Sequence, residues 1–145
     1  MAKKNISAEL RRLVRDRAGD CCEYCRGQAK YSADSFSIDH IKPRGQQGET
    51  EPENLALSCI GCNQHKAKRT SAVDPATDQL VALFHPRRHH WEEHFAWSDD
   101  FTLMLGLTPT GRATIAALQL NRAGLVNLRR VLRASGEHPP SNRSG

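Results

Sequence analysis

Between residues 101 and 136 the chain has no acidic residue, yet it carries five arginines there: Arg112, Arg122, Arg129, Arg130 and Arg133. A solvated surface normally mixes both signs. This stretch therefore reads either as a face for a polyanion or as the outer side of two packed helices, and the missing acids tip the reading toward a nucleic acid. Aromatic residues are scarce, at 6% of 145. A core so composed is modest, and a metal staple is a common supplement. No apolar run approaches the ~20 residues of a membrane span, and no charged-then-apolar start marks a signal peptide. The expectation is a chain with no membrane segment in a reducing, cytoplasmic setting, where a Cys-x-x-Cys pair more often means zinc than a disulfide. The formal charge of +5 agrees with a polyanionic partner without proving one.

Patterning divides the chain into an N-terminal helix within residues 1–20, a finger over 21–72, an α/β extension over 73–136 packed on it, and a disordered tail over 137–145. Ser7 is placed to cap a helix near residues 8–18, with Leu10, Leu13 and Val14 on one face. Phe36 and Ile38 alternate with Ser35, Ser37 and Asp39, which predicts a short half-buried strand; Leu55 and Leu57 predict a second that pairs with it. Two prolines and two glycines make residues 42–52 a loop between them. A helix is expected near 62–69, and residues 73–86 read as a connection. A strand is expected over 101–107, a helix from Thr108-Pro109 and a last helix ending near Ser135-Gly136.

There are five cysteines, four of them in two Cys-x-x-Cys pairs: Cys22 with Cys25, and Cys59 with Cys62. Two residues between thiols let both sulfurs reach one ion, and two such knuckles complete a tetrahedral Zn²⁺ site. Cys21 is the odd thiol, one residue further from Cys25.

The thiols enclose a polar set. Hydrolysis of a phosphodiester needs a base for the water, a cation for the developing charge and positive groups to hold the backbone. His40, mostly neutral at physiological pH, suits the base. Asp39 offers a hard oxygen to Mg²⁺ or another divalent cation. Neighbours on a strand point to opposite faces, so an irregular strand end is expected at Asp39-His40. Asn63 follows the second knuckle and can supply another oxygen ligand, with His65 as the rival donor. Asn54, at the far end of the loop that begins after His40, can bridge loop backbone groups. Lys66, Lys42, Arg44 and Arg69 are candidates to meet phosphate.

Three stretches, Ile38-Asp39-His40-Ile41-Lys42-Pro43, Glu53-Asn54-Leu55-Ala56-Leu57 and Cys59-Ile60-Gly61-Cys62-Asn63-Gln64-His65-Lys66, resemble the zinc-containing HNH endonucleases, whose core is a ββα-metal finger. The resemblance covers about residues 22–69. It implies an α+β fold, with a treble-clef-like zinc finger carrying the ββα-metal nuclease core between the N-terminal helix and the C-terminal extension. It implies His40 as general base, Asn54 as the loop-orienting residue, Asp39 and Asn63 as the divalent-metal site, structural zinc on the four cysteines, and products with 5′-phosphate and 3′-hydroxyl ends. Asn63 stands where the third letter of the family name would be His, so the chain is similar to the H-N-N variants. Nucleic acid, DNA before RNA, is the expected partner. The alternative is a zinc-stabilised module that binds nucleic acid without cutting it, and it would have no use for Asp39, His40 and Asn63 together.

One further motif, His90-Trp91-Glu92-Glu93-His94, spells the His-x-x-Glu-His of a zinc peptidase class. That class resembles much larger enzymes with a distant further ligand, so this stretch reads as a turn packing Trp91 and Phe95 on the core.

Overall fold

A computed structural model describes residues 5–141. Of the tail expected to be disordered over 137–145, residues 142–145 lie outside this range. Helix α1 (Ala8–Arg17) starts where Ser7 Oγ accepts the amide of Leu10 at 3.1 Å. One face lays Leu10, Val14 and Ala18 on Leu55 and Leu57. Arg17 Nη2 donates to the Leu55 carbonyl at 2.7 Å, tying the helix to the next sheet.

That sheet is an antiparallel hairpin of β1 (Ser37–His40) and β2 (Leu55–Ser58), with Asp39 opposite Ala56 and His40 opposite Leu55. The expected alternation on β2 was half of the outcome. Leu55 and Leu57 pack on α1, but Ala56 and Ser58 are buried too, because the finger and extension close over the other face. The first thiol knuckle joins the edge: the Glu23 amide donates to the Leu57 carbonyl at 2.9 Å, and the Leu57 amide returns to Glu23 Oε2 at 2.9 Å. Arg87 pairs with the other Glu23 oxygen.

Helix α2 (Ile60–Lys66) begins two residues before expectation and stops three before it. Cys59 caps it, and Ala67 takes a positive φ of 51° that ends it. The connection expected over 73–86 is overlapped by a hairpin of β3 (Ser71–Val73) and β4 (Leu80–Ala82). Three-residue strands with Val73 and Leu80 exposed have no inside–outside alternation to betray them. Next come one turn of helix α3 (Trp91–His94), then β5 (Phe95–Trp97) paired antiparallel with β6 (Met104–Gly106). The strand expected over 101–107 is shorter, because Phe101 turns with φ 62°. Helix α4 (Pro109–Leu118) is capped by Thr108, whose Oγ1 accepts the Gly111 amide at 3.0 Å, and α5 (Ala123–Ala134) follows. Helices and strands are thus mixed along the chain, in an α+β arrangement. One apolar cluster joins Cys22, Tyr24, Ile41, Ala56 and Cys62 of the finger to Leu83, Phe84, Phe95, Met104, Leu118 and Leu120 of the extension.

The expected disorder of the tail fails at His138. Its ring is buried, Nε2 donates to the Phe101 carbonyl at 2.8 Å, and it meets the Trp97 ring edge-on.

The five arginines also depart from expectation. Arg129 is buried, donates to the carbonyls of Thr102 and Leu120, and covers the Trp97 ring. Arg133 covers Phe101, Arg122 lies on two cysteine sulfurs, and Arg112 forks onto Asp74 at 2.9 and 2.8 Å. These four hold the extension together. Arg130 donates to Asn127 on its own helix and interacts electrostatically with Asp100. Arginine count says nothing about which way the guanidinium faces, and here carbonyls, rings and sulfurs take the place of the missing acids.

Asp74 also accepts from the Ala76 amide and the Thr77 hydroxyl inside the β3–β4 turn. The Arg112 fork holds its carboxyl below the ordinary carboxylate range. A folded pKa below the unfolded value of about 3.9 means that the unfolded chain takes up the proton first. The stabilisation is complete above that range and is lost as pH falls through it. Thermal unfolding midpoints of wild type should decline on the acid side more steeply than those of Asp74→Asn. Parallel acid slopes would refute the assignment.

Candidate metal centre and polar site

The four cysteines chosen by spacing converge. The sulfurs of Cys22, Cys25, Cys59 and Cys62 all lie within 4.8 Å of one another, with Cys25 and Cys59 at 3.8 Å. A tetrahedron with Zn–S of about 2.3 Å needs sulfurs about 3.8 Å apart. The donor set therefore fits zinc in number, type and spacing. Each knuckle folds its backbone onto its sulfurs. The Cys25 amide donates to Cys22 Sγ and the Cys62 amide to Cys59 Sγ, both at 3.4 Å, and the Gly27 amide donates to Cys25 Sγ at 3.3 Å. Cys21 is outside the cluster, with its thiol against the Gly19 carbonyl at 3.4 Å. Among the described residues no other group of three or more His, Cys, Asp and Glu is close enough to share an ion. His90 and His94 form no such site, and His94 Nδ1 instead meets Thr108 Oγ1 at 2.6 Å.

The expected irregularity at Asp39-His40 is confined to the strand's end. The ladder runs regularly through His40 and stops there, so the two side chains part. Asp39 turns inward. Its Oδ2 accepts from the Tyr24 hydroxyl at 2.8 Å and lies 3.1 Å from Lys66 Nζ. Burial pushes the Asp39 carboxyl above its usual range, while Lys66 and Tyr24 pull the other way. Lys66 is the plain departure from expectation. It is 1% exposed, and its ammonium also donates to the Ile41 carbonyl at 3.1 Å, so it does not reach outward to a phosphate. The ion pair locks the last turn of α2 against the end of β1.

Asn63 is three residues before Lys66, on the same face of α2. From that helix, Lys66 is the side chain that reaches Asp39. His65 is two residues after Asn63, off that face, and its carbonyl accepts from Arg69. A carboxylate and an amide oxygen make a hard donor pair of the kind Mg²⁺ takes, with water and phosphate filling the remainder. Both protein contacts to Asp39 fall on Oδ2, which leaves Oδ1 to be offered.

His40 is half-buried, and its Nε2 lies 2.9 Å from Thr50 Oγ1. Partial burial, then Arg44, lower its pKa against the opposing pull of Asp39, which favours the neutral ring. Asn54 clamps the loop that follows. Its Oδ1 accepts the Lys42 amide at 2.8 Å, and its Nδ2 donates to the carbonyls of Lys42 and Glu49 at 3.0 and 2.9 Å. The same loop closes so tightly on Gly48 that a Cβ there would lie 1.7 Å from the Lys42 oxygen. Lys42 and Arg44 are exposed on the loop. Arg69 is exposed but spends Nη2 on the carbonyls of His65 and Ala117.

Sequence reasoning missed Tyr24, Thr50 and Arg122. Tyr24 carried a signal, since it lies between two knuckle thiols and is thereby placed beside whatever the hairpin presents. Thr50 had none beyond its place in the loop. Arg122 is sixty residues from Cys62, and only the folded extension brings it there.

A hairpin and a helix pinned by four thiols, presenting an imidazole and oxygen donors, define a metal-binding ββα finger. Residues 22–69, about a third of the chain, match the family described as HNH endonuclease. An alignment of 99 positions, covering 63% of this chain, is 27% identical to a Vc95 retron protein of Vibrio cholerae serotype O1 biovar El Tor that is named as a candidate HNH endonuclease. The chain covers 46% of that relative's length. No solved structure matches it. Among the described residues no helix is long and apolar enough to cross a membrane.

Proposed function

We propose that the protein is a metal-dependent endonuclease that hydrolyses phosphodiester bonds in nucleic acid, DNA before RNA, from a treble-clef-like zinc finger spanning residues 21–72 with the extension of 73–136 packed on it. The observation that carries the reading is the junction of β1 and α2. Asp39 on the hairpin, next to His40 in the chain, meets Lys66 on the helix, and Asn63 stands one helical turn before that lysine.

In this reading His40 removes the proton from the attacking water. In the tautomer whose Nε2 donates to the Thr50 hydroxyl, Nδ1 is the ring nitrogen that accepts that proton. Asn54 keeps the loop from sagging away from the ring. Lys42 and Arg44 flank the scissile phosphate. A divalent cation on Asp39 and Asn63 would act as a Lewis acid toward the phosphate and the departing 3′ oxygen. Tyr24 and Lys66 hold Asp39 in place for it, and zinc remains in the thiol frame, apart from the reaction.

The test is relaxation of supercoiled plasmid across a panel of divalent cations. Nicks are expected with Mg²⁺ or Mn²⁺, none in excess chelator, and ends that ligase reseals, as 5′-phosphate and 3′-hydroxyl require. Metal-independent cleavage, or ends that ligase refuses, would overturn it. Tight binding of the plasmid without nicking under every cation would return the protein to the binding-module class.

A further inference from the structure

We propose that Arg122 is the residue by which the C-terminal extension retains zinc in the finger. The inference rests on zinc occupying the four thiols. Four thiolates around Zn²⁺ leave a net charge of about −2, and burial makes an uncompensated charge costly. Arg122, at the head of α5, lies over the second knuckle. Its Nη2 is 3.5 Å from Cys59 Sγ and 3.7 Å from Cys62 Sγ, and its Nη1 is 3.6 Å from Cys62 Sγ.

The placement is built. The carbonyls of Leu118 and Gln119, where α4 ends, accept from Nη1 at 3.3 and 3.2 Å and aim the guanidinium at the sulfurs. Gly61, inside the knuckle, leaves the space: a Cβ there would come within 2.4 Å of Nη2. A planar, permanently charged fork suits two neighbouring sulfurs. Groups bonded to metal ligands tune affinity, and removing them typically costs about 10–100-fold. The second knuckle also starts α2, so zinc retention bears directly on where Asn63 stands.

The experiment measures zinc content of the whole protein and the rate at which zinc passes to a chromogenic chelator. Arg122→Met should release zinc about tenfold faster. Gly61→Ala, which keeps the arginine but pushes it off the sulfurs, should also release faster. Asp74→Asn, which loosens the same extension away from the thiols, should release at the wild-type rate. Wild-type rates for both Arg122→Met and Gly61→Ala overturn the proposal, as does equal acceleration in all three variants, which would be general loosening. If Arg122→Met does not fold, Gly61→Ala against Asp74→Asn decides on its own. Protein that contains no zinc refutes the zinc assignment itself, a different failure from unchanged release.

Discussion

His40→Ala is expected to lower plasmid nicking by about 10²–10⁴-fold, the usual contribution of a general base, with zinc content and circular dichroism unchanged. The fold should survive because the hydrogen bond of the His40 ring goes to Thr50 in the loop, and its place in the ladder opposite Leu55 is kept by backbone. Alanine also leaves Asp39, Tyr24 and Lys66 in contact, so any change in metal response belongs to the missing imidazole. Free imidazole in the buffer should restore part of the rate. Thr50→Val, which keeps the ring but removes its hydroxyl partner, should lose less than His40→Ala. Full activity in His40→Ala protein, purified free of contaminating nuclease, would remove His40 from the mechanism.

Stripping zinc should have the larger structural effect. Structural zinc in small fingers is worth about 10–16 kcal/mol of apparent binding free energy, which is folding free energy there. In this chain Cys22, Cys25 and Cys62 are themselves part of the buried cluster that joins finger to extension. Cys62→Ser, or exhaustive chelation, should abolish the cooperative thermal transition and all nicking, and Mg²⁺ alone should not restore it. Brief chelation that removes only the weakly held cation should instead be reversed by Mg²⁺. Cys21→Ser is the control, since its thiol faces the Gly19 carbonyl outside the frame, and it should keep zinc. A Cys62→Ser protein with a wild-type melting curve would show that the thiols do not carry the finger.

Much of the finger was legible because its signals are local. Knuckle spacing, a loop rich in proline and glycine, and helix caps such as Ser7 and Thr108 depend on residues within a turn of one another. The β3–β4 hairpin was not legible: its strands are too short and too exposed to impose a period, and Arg112 from α4 anchors the turn through Asp74. Lys66 was misread for a related reason. A lysine near a catalytic motif looks like a phosphate contact until a buried carboxylate is found 3.1 Å from it. The arginine-only stretch looked like a surface for a polyanion, yet Arg112, Arg122, Arg129 and Arg133 have partners inside the protein.

Spacing alone was enough to pick the four thiols as one set, because two residues between thiols let each knuckle turn both sulfurs to one ion. Which groups flank that set was decided only by tertiary contact. Tyr24 and Lys66 reach Asp39, Thr50 reaches His40, and Arg122 reaches the sulfurs across separations of 10 to 63 residues. At such distances, side-chain identity permits many partners, and packing selects one.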